Sequence, residues 1–137
     1  MKLKEYQMYI DGEYVDADNN LRFNSIDPSL ETEWCSVPEA SESDVDKAVS
    51  AAKKAFQEWS KTDVQKRANY LRLIGDKIYE HSEHLGRIET IDSGKLLTET
   101  TFQAKYMKDY FYFYADLLMK MDDEKTVPDI DKPNTVS

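Results

Sequence analysis

Apolar and polar positions alternate in short runs over the first third of the chain, then switch to spacings of three and four. From Tyr6 to Val15, two β-rich runs flank Asp11-Gly12. That pair readily adopts the positive φ angles of a type I′ turn, so the stretch predicts a hairpin. Asp16 to Asn20 is polar loop. Leu21 to Ile26 predicts a second extended segment, ended by Asp27-Pro28 because proline lacks an N–H and disfavours helical geometry in the residue before it. Glu33 to Val37 predicts another short strand before Pro38.

Past Ser41 the period is helical. Ser41 with Asp44 three residues on predicts an N-cap and an acid beside the positive end of a helix dipole. Val45, Ala48, Val49, Ala52, Ala55, Phe56 and Trp59 then form one apolar, alanine-rich stripe that allows close approach to a partner surface. A second helix is expected from Thr62 or Asp63, burying Leu71, Ile74 and Ile78. A third, or its continuation past His81-Ser82, presents Leu85, Ile88 and Ile91, with Gly94 as the residue beyond its end. The last helix, Thr100 to Met121, is apolar around more than half its circumference, from Tyr106 and Met107 through Tyr114 to Met121. Such a helix is normally buried on several sides. The preceding helices supply one side, and a surface absent from this chain is expected to supply another. The organisation expected is one unit over residues 1–121, with hairpins and strands over 6–37 and helices over 41–121, followed by a polar connector over 122–137.

Composition narrows the function classes. The chain has 137 residues, 40% hydrophobic and 33% charged, with a net charge of −9, which favours an ordered chain and argues against nucleic acid or anionic membrane as partner. The polar opening from Met1 to Tyr6 has no signal-peptide pattern, and no run approaches a membrane-spanning length. A cytoplasmic protein is the expectation.

Local chemistry yields no active site. Cys35 is the only cysteine, and Glu33, Trp34, Ser36 and Val37 supply neither a base nor a positive field to make a thiolate, so a small thiol on a strand is expected. His81 and His84 are placed to share a helix face without a third ligand of matching spacing, and read as exposed residues at a helix boundary. Acidic pairs such as Asp44/Asp46 read as caps and solvated faces. Four glycines do not make a phosphate cradle.

Order and spacing point to a family. Met8 to Val15 looks like an Ile-Asn-Gly-x-Trp-Val hairpin; Ile26-Asp27-Pro28 with Val37-Pro38 looks like Ile-Asn-Pro followed by Val-Pro. Asp44 to Val49, Ala51 to Phe56 and Trp59 match a first helix; Arg67, Leu71, Asp76 and Ile78 fit a second. Glu89-Thr90-Ile91-Asp92-Ser93-Gly94-Lys95 matches Glu-Thr-x-Asp-x-Gly-Lys, and Tyr112 to Ala115 with Lys125 to Pro128 are similar to the aromatic helix and its exit. In register from about residue 8 to 128, these resemble the N-terminal segment of NAD(P)-dependent aldehyde dehydrogenases. Leu30-Glu31-Thr32 departs from the family's Thr-Gly-Glu, so that turn is expected to be built differently, and the glycine that follows the aromatic helix is Asp123 or missing.

The resemblance implies an α/β fold: an N-terminal hairpin and short strands followed by three or four amphipathic helices, the leading part of an aldehyde dehydrogenase-like dinucleotide-binding domain. It implies oxidation of an aldehyde to an acid with NAD or NADP, in an oligomer, by a cysteine nucleophile and a glutamate base carried in later motifs that do not occur here. Cys35 does not match that nucleophile's motif. No catalytic or cofactor-binding residue is therefore expected in the segment, which should be inactive without the remainder of the chain or a complementary polypeptide. Two features carry over. Ser25 and Ile26, through their main chain, and Asp92 match positions that hold a monovalent cation in some members, the alternative being that Asp92 caps neighbouring backbone amides. Tyr106 and Tyr110 fall on the helix that lines the substrate tunnel, with core packing the role expected of each here. A free-standing helical interaction module built from the same elements is the competing reading.

Overall fold

The computed structural model describes residues 3–121 as β1 (Lys4–Glu5), β2 (Met8–Ile10), β3 (Glu13–Val15), β4 (Arg22–Asp27), β5 (Thr32–Pro38), α1 (Glu42–Trp59), α2 (Val64–Glu80), α3 (Ser82–Ser93) and α4 (Leu97–Leu118). The expected connector over 122–137, with Lys125 to Pro128 and Asp123, lies outside the described residues. The α/β architecture is the one expected. Asp11 and Gly12 turn the hairpin at φ 52° and 86°, pairing Ile10 with Glu13 and Met8 with Val15. A second sheet has the order β1-β5-β4, with β5 antiparallel to β4 and parallel to β1. The β1 strand was not expected: Lys4 and Glu5 carry no apolar alternation, and what recruits them is the edge of β5.

Arg22 ties this sheet together. Its guanidinium donates to Ser36 Oγ at 3.0 Å, Ser36 O at 3.0 Å, Tyr6 O at 2.5 Å and Asp16 Oδ1 at 2.6 Å. The turn between β4 and β5 is indeed built differently from a Gly-containing one. Asp27 accepts from the Ser29 amide at 2.8 Å, and Glu31 takes the left-handed position at φ 54°.

Ser41 caps α1 as expected: its hydroxyl accepts from the Asp44 amide while Asp44 accepts from the Ser41 amide at 2.9 Å and hydroxyl at 2.7 Å. Asp44 also accepts from the Asp18 amide at 3.3 Å, and Asp18 in turn holds Ser43 and Lys47. This polar cluster anchors the start of α1 to the loop before β4. The apolar stripe of α1 is otherwise uncovered, with Val45 55% and Phe56 63% exposed and Trp59 resting on Tyr70 at 5.7 Å between ring centroids.

The helical layer is built from small residues rather than from the large apolar ones expected. Leu71, Ile78 and Ile88 are half-buried, whereas Ile74, Leu85 and Ile91 are exposed. The buried positions are Ala68 and Gly75 of α2, Ser82 and Gly86 of α3, and Thr100, Ala104 and Ala115 of α4. At Gly86 an added Cβ would fall 2.6 Å from Thr101 Oγ1 and 2.8 Å from its backbone. Backbones in such close contact leave no room for large side chains between them. Thr100, fully buried, donates to Gly86 O and shares a hydrogen bond with Thr90 Oγ1, both at 2.9 Å. Outside this seam, Asp76 binds Lys108 at 2.8 Å and the Tyr112 hydroxyl at 3.0 Å, and Arg72 binds Asp116 at 2.6 Å. Gly94 closes α3 at φ 73°, where an added Cβ would meet Pro28 Cγ at 2.9 Å. Among the described residues no helix is long and apolar enough to cross a membrane.

Three outcomes follow from this packing. Gly86→Ala overpacks the α3–α4 seam and is expected to lower stability by about 1–3 kcal/mol in denaturant titrations. Glu31→Gly relieves a left-handed side chain and is expected to raise it by up to about 1 kcal/mol, the unfolded chain's added freedom offsetting part of the gain. The Ser41 hydroxyl, followed by its amide, holds the Asp44 carboxyl below its ordinary value of 3.8. The stabilisation from this group is complete above that value and drains away as pH falls through the lowered one. Asp44→Asn should therefore be less stable than the parent at neutral pH, with the gap in melting temperature closing as the solution is acidified toward that lowered value.

Candidate functional site

At the meeting of β4, β5 and α3, three elements converge on one carboxylate. Asp92 lies in the last turn of α3, directed at the sheet. Its Oδ1 accepts from the Ser25 hydroxyl at 2.5 Å and from Trp34 Nε1–H at 3.2 Å. The ladder between β4 and β5 shifts register at Ser25/Ile26: Ser25 pairs with Cys35, but Ile26 pairs with Glu33, leaving Trp34 as an extra residue. A bulge of this kind disrupts the ladder locally. The structure thus brings Ser25 and Asp92 together across 67 positions of sequence, with Ile26 adjoining at the bulge, its side chain 58% exposed. Among the described residues Asp92 caps no backbone amide. It takes side-chain donors instead, because the end of a helix offers carbonyls rather than free N–H groups. A cleft of about 380 Å³ adjoins, lined by Tyr6, Ser25, Trp34, Cys35, Ile88 and Asp92 among others. Tyr6 lines this cleft, and its hydroxyl is buried without a hydrogen-bond partner among the described residues.

Cys35 lies on a strand as expected and is buried there; burial, with the charge of nearby Asp92, pushes its thiol pKa up. That is the opposite of what a nucleophile needs. His81 and His84 are exposed along a groove of about 610 Å³ between α2 and α3.

The described residues do not bury Tyr106 and Tyr110. They are 48% and 51% exposed, packed edge to face with centroids 5.2 Å apart. Tyr106 also stacks on Phe102 at 6.0 Å. Tyr110 joins Leu71, Met107, Phe111 and Tyr114 around an apolar groove of about 450 Å³. Since α4 meets its neighbours through Thr100, Ala104 and Ala115, with Phe111 and Tyr112 half-buried beside α2, its remaining aromatic side chains face outward. Trp34 and Thr100 are residues that the sequence did not single out. Their roles depend on strand register and on helix contact, neither of which leaves a local signal.

The profile of the aldehyde dehydrogenase family matches residues 14–137. The chain is 33% identical over 134 residues to (Z)-2-((N-methylformamido)methylene)-5-hydroxybutyrolactone dehydrogenase of Acinetobacter baylyi, covering 96% of this chain and 27% of the relative. It is 38% identical over 127 residues to peroxisomal aminoaldehyde dehydrogenase 1 of Pisum sativum, covering 89% and 25%. Betaine aldehyde dehydrogenase of Staphylococcus aureus, solved with NAD+, superposes with TM-score 0.80 at 33% identity over 90% of this chain and 25% of that one. HpcC of Thermus thermophilus superposes with TM-score 0.83 at 31% identity, over 88% and 24%. The chain spans about a quarter of the length of the relatives it matches. With the family profile matched over most of its length and its strands and helices superposing on solved members, this chain belongs to the aldehyde dehydrogenase family.

Proposed function

We propose that the chain supplies the leading scaffold of a cytoplasmic, oligomeric enzyme that oxidises an aldehyde to a carboxylic acid with NAD or NADP. The observation that carries this reading is the in-register match to aldehyde dehydrogenases over residues 14–137. The dinucleotide, when bound, accepts the hydride. The described residues do not fit it. A phosphate cradle needs free glycine backbone, whereas Gly12 turns the hairpin, Gly75 and Gly86 are pressed against α4, and Gly94 packs against Pro28. The contribution of this segment is instead structural, and the cofactor and reactive thiol come from the remainder of the chain or from a complementary polypeptide.

Two sites belong to this reading. Ser25 and Ile26, through their main chain, and Asp92 hold a monovalent cation; the support is a hard-oxygen donor set at a disrupted ladder, with Ser25 and Asp92 lining one cleft. Tyr106 and Tyr110 form part of the substrate tunnel wall, supported by their exposure along α4. The second reading, a non-catalytic helical interaction module, is favoured by the same outward aromatic face.

Purified alone, the 137-residue chain should give no aldehyde-dependent NADH or NADPH absorbance; a steady rise would sink the scaffold assignment. In the enzyme completed by its remaining polypeptide, Tyr110→Ala should raise KM for the preferred aldehyde by about tenfold with kcat little changed. An unchanged KM would remove Tyr110 from the tunnel. Failure of every completing polypeptide to yield activity, together with tight capture of a non-enzymatic protein by the α4 face, would favour the module.

A further inference from the structure

Side chains alternate between faces along a regular strand, so Trp34 and Cys35 would normally point to opposite sides of β5. The bulge cancels that alternation. Trp34, unmatched between the Ser25–Cys35 and Ile26–Glu33 pairs, is re-aimed, and both Trp34 and Cys35 line the cleft beneath α3. The Trp34 N–H then meets the same Asp92 oxygen that the Ser25 hydroxyl reaches. Tyr6 holds the indole edge-on, with centroids 6.1 Å apart and planes at 72°. A carboxylate's terminal torsion is broad when unrestrained. Two donors on Oδ1 fix it, and Oδ2 receives neither of them.

Resting on the reading of Ser25, Ile26 and Asp92 as cation donors, we infer that Trp34 is a positioning residue for that ion. Its N–H clamps Oδ1 so that Asp92 presents Oδ2 in one fixed orientation. Trp34 does not itself donate to the ion; it acts through Asp92. Outer partners of ligating groups typically change metal affinity by about 10–100-fold when removed.

The chain has two tryptophans, so the indole N–H signals of the isotope-labelled full chain are assigned by a single Trp34→Phe spectrum. NaCl or KCl is titrated against choline chloride at constant ionic strength while the indole signals and the melting temperature are followed. The Trp34 signal should move with Na+ or K+ at the midpoint of a rise in melting temperature, the Trp59 signal should stay still, and Asp92→Asn should abolish the movement. Trp34→Phe should raise the midpoint of the melting response by about tenfold. A wild-type chain indifferent to both salts would end the cation reading, and this inference with it. A melting response with a stationary Trp34 signal overturns the role of Trp34 while leaving the ion in place. So does a Trp34→Phe midpoint within about twofold of wild type, well short of the loss expected for an outer partner. The stationary-signal outcome is read on the wild type, so a variant that fails to fold does not shelter the inference.

Discussion

Close backbone approach between α4 and its two helical neighbours is the constraint from which the rest of the structure follows. Gly75 and Gly86 admit α4 so near that no further carbon fits at Gly86, and Ala68, Ala104, Ala115 and Thr100 fill what space is left. Contacts made by small side chains bury little area per residue, so polar ties take over at the margins: Asp76 with Lys108 and Tyr112, Arg72 with Asp116, and Thr100 with Gly86 and Thr90. The large apolar groups, excluded from the seam, are turned outward. The exposed aromatic surface of α4 is therefore a direct result of how the helices pack, and it is what a family member needs if further polypeptide is to cover that surface.

The sheet and the helices communicate through one end of α3. Pro28 sits under Gly94, and Ser25 and Trp34 reach Asp92 within the same two turns of chain. The β4–β5 pair is thereby fixed against the helix layer by steric fit and hydrogen bonds together. At the other end, α1 hangs from the Asp18–Asp44 cluster with its apolar face open. The molecule is held firmly in its middle and loosely along α1.

Features with a local physical cause were legible in the sequence. Asp11-Gly12 dictates its turn through backbone conformation, Ser41 and Asp44 satisfy each other within one helical turn, and Gly94 ends α3 because few other residues tolerate its φ. Features fixed by distant partners were not. Lys4 and Glu5 become a strand only because β5 offers an edge. Ile74, Leu85 and Ile91 follow a core-like spacing yet stay exposed, since periodicity marks a face for covering without saying what covers it. The proximity of Ser25 to Asp92 was readable only through family resemblance, and Trp34 not at all, because one residue of register decides where it points.

The lone thiol makes one further property measurable. Cys35 sits mid-strand in β5, 2% exposed, with its backbone paired on both sides by β1 and β4. A thiol-specific reagent reaches it only when the packing between α3 and the sheet opens. With no second cysteine to confuse the signal, the alkylation rate of the native chain becomes a clock for local opening between α3 and the sheet, read independently of global melting.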